Sequence, residues 1–256
     1  MGMPDFVSNG HRLHYRERGR GPLLLILPGA TASSAGHGGE LAYFSRRYRA
    51  VALDFLGTGQ SERLAFWPDD WWEQAASDAA RLVEHLGYEE CMVMGTSGGA
   101  AVALLLAIVH AERVRAVVAD SVVEHLPAER WRMNLADRAR RSEEQIRFWR
   151  RMHGDDWEQV VEADTDLLRR FASRGGDWFA GRLAKIRCPV LFTASLHDEM
   201  LANVGPQLCH MVEQVCDSRL YLTREGRHPL MWSRPGEFRR AASAFLDSAT
   251  ANDAPT

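Results

Sequence analysis

Residues 91–100 read Cys91-Met92-Val93-Met94-Gly95-Thr96-Ser97-Gly98-Gly99-Ala100, and they set the architecture of everything around them. The apolar run before Gly95 has the form of a strand buried on both faces, and the run from Ala100 to Val109 continues as a buried helix. Between them stands G-x-S-x-G. A serine on a sharp strand-to-helix turn takes a strained backbone conformation, which is feasible only if the residues two before and two after it are small. Gly95 and Gly99 meet that demand. The turn also aims the Gly98 amide and the positive end of the helix at any oxygen approaching Ser97, so a developing oxyanion would be stabilised there.

The flanking sequence repeats the strand-then-helix unit. Leu23–Leu27, Val51–Leu53, Val114–Ala119 (broken only by Arg115) and Val190–Phe192 are further apolar runs, as expected of parallel strands covered by helices. Apolar stripes at helical spacing follow at Trp71–Leu86, ended by Gly87, at Leu201–Val215 and at Phe238–Leu246. Residues 5–18 read as a hairpin around Asn9-Gly10. With right-handed crossovers this order predicts an α/β fold with a doubly wound, mostly parallel sheet, whose ligands bind beyond the carboxyl ends of the strands. Residues 121–185 interrupt the alternation and are expected to form a helical cap inserted into a core made of residues 1–120 and 186–248. Eight Arg in residues 130–151 face six acids in residues 155–166. Two amphipathic helices pairing their polar faces account for this, as would an anion-steering patch. Residues 249–256 are small and polar and are expected to be a flexible tail.

A serine hydroxyl needs a base, and the base an orienting carboxylate. In such a sheet these follow in the order Ser, acid, His, each in a loop at a strand's carboxyl end. Asp198 lies just beyond the run Val190–Thr193, and His228 just beyond Arg219–Leu222, which reads as the next strand. Asp198 could instead cap the helix that follows, and Asp120, which ends an earlier strand, is the reserve acid. A second oxyanion donor should come from the turn after the first buried strand. There Pro28-Gly29-Ala30 offers the Ala30 amide beside that of Gly98. Leu230-Met231-Trp232 after His228 suggests an apolar pocket with Trp232 as a substrate contact.

Other chemistries fit poorly. Asp54-x-x-Gly57-x-Gly59-x-Ser61 holds a G-x-G after a strand, yet Glu62 stands where a dinucleotide site needs its third glycine. No phosphate-cradling G-x-x-x-x-G-K-[ST] occurs, and no His, Asp and Glu set has metal-ligand spacing, so neither cofactor nor metal is expected. The chain has 256 residues, 31 Lys+Arg against 34 Asp+Glu, and a net charge of -3. Nothing in that balance draws it to nucleic acid or to a membrane, so a small-molecule partner is expected. The N-terminal residues lack an apolar signal core and a lipidation motif, and the four cysteines show no CxxC spacing. A cytoplasmic setting with reduced thiols follows as the expectation.

These motifs together resemble the α/β-hydrolase superfamily over roughly residues 10–248, with Ser97, Asp198 and His228 matching its triad. More narrowly, Leu27-Pro28-Gly29, Asp54–Ser61 and Glu225-Gly226-Arg227-His228 are similar to the valacyclovir hydrolase (biphenyl hydrolase-like) branch of esterases. That branch places an acid directly after the nucleophile to hold a substrate amino group, whereas here the position is Gly98. A serine at the elbow argues against the dehalogenases and epoxide hydrolases of the superfamily, which use a carboxylate. The resemblance implies a serine hydrolase acting on a carboxylic ester or related acyl substrate. Carbon–carbon bond hydrolysis with the same triad, and a weakly catalytic ligand-binding receptor, remain as alternatives.

Overall fold

A computed structural model describes residues 4–251. The chain opens with β1 (Asp5–Ser8) and β2 (His11–Arg18), joined through Asn9 at φ 50 and Gly10 at φ 84. Two successive positive φ values are what a type I′ hairpin turn requires, and Asn-Gly supplies them at low cost. Six more strands follow: β3 (Leu23–Leu27), β4 (Arg49–Leu53), β5 (Cys91–Thr96), β6 (Val114–Asp120), β7 (Val190–Ser195) and β8 (Ser218–Thr223). They form one sheet in the order β1-β2-β4-β3-β5-β6-β7-β8. β2 runs antiparallel to β1 and β4, and every pairing from β4 to β8 is parallel.

Between the strands lie α1 (Gly38–Phe44), α2 (Trp71–His85), α3 (Gly98–Val109), α4 (Ala128–Ala139), α5 (Glu143–His153), α6 (Trp157–Ser173) and α7 (Val204–Gln214), and after β8 come the short α8 (Leu230–Ser233) and α9 (Pro235–Ala251). β3 shows why its run is apolar throughout. Leu23, Leu25 and Leu27 enter the core shared with α2, α3 and α7, while Leu24 and Ile26 enter the core shared with α1 and α9. Successive strand residues point to opposite faces, and here both faces are covered. α3 is buried nearly all round, from Gly99 to Ala107, because it packs between the sheet and α2.

The segment between β6 and β7 carries α4, α5 and α6, three helices where two were expected from the charge pattern. Its segregated charges face each other. Arg138 binds Asp164, and Arg141 reaches Glu162 at 2.8 Å and Glu158 at 3.4 Å, so these two arginines join the basic stretch to the acidic one across the helices. Two other expectations shift. The stripe from Leu201 becomes helical only at Val204, because one Asp198 oxygen accepts the amides of Met200 and Leu201 and ties residues 198–201 into a turn. The C-terminal helix α9 continues to Ala251, so residues 249–251, expected in a tail, are helical, while 252–256 lie outside the described residues. Among the described residues no helix is long and apolar enough to cross a membrane.

Two buried aspartates at strand ends hold the loops around the site. Asp54, after β4, accepts the Ser34 amide at 2.6 Å and the Gln60 amide at 2.8 Å, and its own carbonyl accepts Ser61 Oγ at 2.6 Å. A Cβ on Gly59 would lie 2.1 Å from the Asp54 carboxylate, and Gly59 sits at φ 53. The D-x-x-G-x-G-x-S loop is therefore a self-closing brace, with glycine where the carboxylate presses on the chain. Asp120 ends β6, fully buried, and accepts Thr193 Oγ1 at 2.7 Å, Thr96 Oγ1 at 2.9 Å and the Met231 amide at 3.0 Å. Burial pushes its carboxyl up to about 6 despite those donors.

Asp54→Ala leaves two amides without their acceptor and is expected to cost about 3 kcal/mol in urea denaturation. Asp120 favours its neutral form when folded. Its contribution to stability is therefore complete below about pH 4 and is lost as the pH rises through about 6. The stability advantage of wild type over Asp120→Asn, measured in urea from pH 4 to 8, is expected to decline across that window and then level off.

Candidate active site

Ser97 sits between β5 and α3 at φ 53, ψ -125. No ordinary side chain prefers this region, and the neighbours hold it there. The Ser97 amide donates to the Asp120 carbonyl at 2.8 Å, and its carbonyl accepts the amides of Ala100 at 2.9 Å and Ala101 at 3.2 Å. Glycine is required on either side by close approach. A Cβ on Gly95 would stand 2.1 Å from the Gly99 carbonyl oxygen, and one on Gly99 would stand 2.1 Å from the Leu27 carbonyl oxygen.

From this elbow the hydroxyl reaches His228. Ser97 Oγ lies 2.9 Å from His228 Nε2, and His228 Nδ1 lies 2.8 Å from Asp198 Oδ2. An ionised carboxylate only accepts, so the Nδ1 proton belongs to the imidazole and Nε2 is left as the acceptor facing the serine. Asp198 divides its oxygens between two tasks: Oδ2 holds the imidazole, while Oδ1 accepts the amides of Met200 at 3.0 Å and Leu201 at 3.1 Å. The helix-cap reading and the triad reading of Asp198 are thus both realised in part, since its second oxygen orders the turn before α7. Asp120, the reserve acid, does not touch the imidazole; its oxygens are taken by Thr96, Thr193 and Met231.

The loop bearing His228 is fixed from several sides. Glu199 Oε2 accepts the His228 amide at 3.1 Å, Ser121 Oγ accepts the Leu230 amide at 2.9 Å, and Ser195 Oγ donates to the Gly226 carbonyl at 3.0 Å. Side chains of His228 and Asp198 are 7% and 0% exposed, so the pair works out of bulk water, where its interaction is stronger.

Ala30, Ser97, Gly98 and His228 line one cavity of about 590 Å³, its open mouth included. Gly98 is the first residue of α3, so its amide has no partner within the helix. A Cβ on Gly98 would come within 3.2 Å of the Ala30 amide nitrogen, which places the two backbones side by side. Gly29 keeps its turn close to the serine: a Cβ there would lie 3.3 Å from Ser97 Cβ. Both amides therefore border the space into which Ser97 points.

The rest of the cavity wall comes from residues that motif reading passed over. Trp131, Asn134, Leu135 and Arg138 of α4 line it, joined by Leu168 of α6 and Met200. The four α4 residues are spaced i, i+3, i+4, i+7, a single helix face that could have been read from the sequence. Its mixture of apolar and polar side chains hid it from a search for apolar stripes. Trp232, expected as a substrate contact, is not among the residues lining this cavity. Leu230 and Met231 are fully buried, and the short α8 they anchor turns Trp232 toward the α1 and α9 side, its ring 5.5 Å from His37 and 5.9 Å from Phe148.

Comparison with known proteins agrees with this geometry. The serine hydrolase BPHL of Homo sapiens is 27% identical over 246 residues, covering 93% of this chain and 84% of that protein. The 2-hydroxymuconate semialdehyde hydrolase of Pseudomonas putida is 36% identical over 118 residues, 44% of this chain and 41% of that one. The crystal structure of E-2-(acetamidomethylene)succinate hydrolase superposes with a TM-score of 0.79 at 19% identity, covering 96% of this chain and 98% of that one. The family profile described as alpha/beta hydrolase fold matches residues 22–150. With its elbow, its strand order and this match in accord, the chain belongs to the alpha/beta hydrolase fold family.

Proposed function

We propose that this protein is a serine hydrolase that cleaves a carboxylic ester or related acyl substrate through an acyl-enzyme on Ser97. The observation that carries the reading is the unbroken contact from Ser97 Oγ through His228 to Asp198, at 2.9 and 2.8 Å, at the wall of a cavity open at its mouth. Ser97 Oγ attacks the substrate carbonyl as His228 Nε2 takes its proton. The Ala30 and Gly98 amides receive the charge on the carbonyl oxygen, each contributing about 3 kcal/mol to the transition state. His228 then protonates the departing alcohol, and water repeats the sequence on the acyl group. Asp198 stays ionised and keeps the imidazole in the orientation and tautomer that both half-reactions need.

The cavity's chemistry points to the class of acyl or alcohol group. Val122, Val123, Leu126, Trp131 and Leu135 give it an apolar wall, while Asn134 and Arg138 add polar groups on α4. At residue 98, where the valacyclovir hydrolase branch carries an acid, a glycine offers no charge to an amino group. An uncharged apolar group therefore suits the site better than an amino-acid ester. The four cysteines are free, as suits a protein of the cytoplasm. Carbon–carbon bond hydrolysis is the second reading, favoured by the similarity to 2-hydroxymuconate semialdehyde hydrolase over 118 residues.

A fluorophosphonate is expected to label the protein at Ser97, and Ser97→Ala to abolish both labelling and turnover of p-nitrophenyl esters. His228→Ala should lower kcat by about 10⁴-fold or more, and Asp198→Asn by about 10⁴-fold. Fast turnover of a dienone-type substrate with poor ester turnover would favour the second reading, and absence of both labelling and turnover a receptor. Leu135→Trp fills part of the wall, so across a series of acyl chain lengths the optimum of kcat/KM should move to shorter chains.

A further inference from the structure

Ala30, one of the two proposed oxyanion donors, sits in a tight turn whose third residue is held in a left-handed conformation. The turn is closed by the Ala32 amide donating to the Gly29 carbonyl at 3.1 Å, and its third residue, Thr31, stands at φ 55. A four-residue turn with positive φ at its third position is the geometry that favours glycine. A β-branched residue there is strained and relaxes unless something outside the turn holds it.

What holds it is the C-terminal turn of α5. His153, the last residue of that helix, is buried, and its Nε2–H donates to the Thr31 carbonyl at 3.0 Å. Its other nitrogen, Nδ1, accepts the Gly59 amide at 3.0 Å, which places the ring's proton on Nε2. One residue earlier, the Met152 carbonyl accepts Ser33 Oγ at 2.8 Å. Burial pushes His153 down to about 4, so the ring is neutral, as these two bonds demand. Arg63 closes the junction by donating to the carbonyls of both Gly59 and His153. A helix from the segment between β6 and β7 thus grips the loop after β3 and the brace after β4 at one point.

We propose that His153 is a positioning residue: by holding the Thr31 carbonyl it keeps the Ala30 amide aimed at the substrate's carbonyl oxygen, and so couples the seating of α5 to the completeness of the oxyanion site. The inference rests on the serine-hydrolase reading above. It explains why a histidine far from Ser97 in the chain, with no place in the triad, has both ring nitrogens committed to backbone groups, one of them in the loop that brings Ala30 to the cavity.

Two substitutions separate its bonds. Asn matches the reach of Nδ1 and Gln that of Nε2, so His153→Asn keeps a partner for Gly59 but releases Thr31, whereas His153→Gln keeps the donor to Thr31. With a p-nitrophenyl ester, His153→Asn is expected to lose about tenfold or more in kcat with KM within about twofold, because a donor used in the transition state is displaced. His153→Gln should recover most of that loss. Adding Thr31→Gly to His153→Asn should also recover kcat, since glycine holds the left-handed turn without help. A trifluoromethyl ketone, which forms an oxyanion on Ser97, should weaken by the same factor as kcat. If His153→Asn does not fold, folded Ser33→Ala, which loosens the neighbouring bond to α5, should lower kcat several-fold at unchanged KM. Unchanged kcat in folded His153→Asn, or in folded Ser33→Ala where the former is not obtained, overturns the inference, as does an equal loss in His153→Gln and His153→Asn. Wild-type protein that neither hydrolyses esters nor takes the fluorophosphonate label overturns the hydrolase reading itself, and this inference with it.

Discussion

Everything at this site depends on one crowded crossing of backbones. β3, β5 and the first turn of α3 come so close that Gly95 and Gly99 have no room for a side chain, and Ser97 is forced to φ 53 between them. The crossing lifts the serine above the sheet, turns the first free amide of α3 toward the same space, and brings the loop after β3 alongside. The strain is met by the ordinary hydrogen bonds of the turn, chiefly the Ser97 amide on the Asp120 carbonyl, and by the burial of α3 behind it. A methyl group at either glycine would push the strand and helix apart, and with them Ser97, the Gly98 amide and the register of the central strands.

Burial and partners, more than residue type, assign work to the acids at the strand ends. Asp54, Asp120 and Asp198 all follow or end a parallel strand and all are buried. Asp54 spends its oxygens on backbone amides of two loops. Asp120 spends its own on two threonines and on the amide of Met231, which seats the loop carrying His228. Asp198 alone keeps an oxygen for the imidazole, because its turn consumes only the other. Two of the three thereby fix loops, and the third bonds the imidazole directly.

The segment between β6 and β7 contributes in two ways. α4 gives the cavity one helix face, and α5 ends against the loop that bears Ala30. Its segregated charges, read from the sequence as helices pairing their polar faces or as an anion-steering patch, meet across the helices through Arg138 with Asp164 and Arg141 with Glu158 and Glu162. Their effect is to hold α4 and α6 together beside the cavity, where a loss of pairing would leave Arg138 nearly buried without its partner.

Local sequence settled much of this protein. Apolar runs marked β3, β5, β6 and β7, since strands covered on both faces carry few polar positions, and G-x-S-x-G marked the elbow, since only small residues tolerate so close an approach. The order of Ser97, Asp198 and His228 followed from the rule that site residues cluster at the carboxyl ends of parallel strands. What tertiary structure alone decided was which side chains meet across long loops. Trp232 looked like a pocket residue beside His228, but the anchoring of Leu230 and Met231 in the core turned it away. His153 carried no motif at all, and its place depends on where α5 ends relative to two loops about a hundred residues earlier in the chain. Contacts of that kind are set by packing among whole elements, and no spacing within a single segment encodes them.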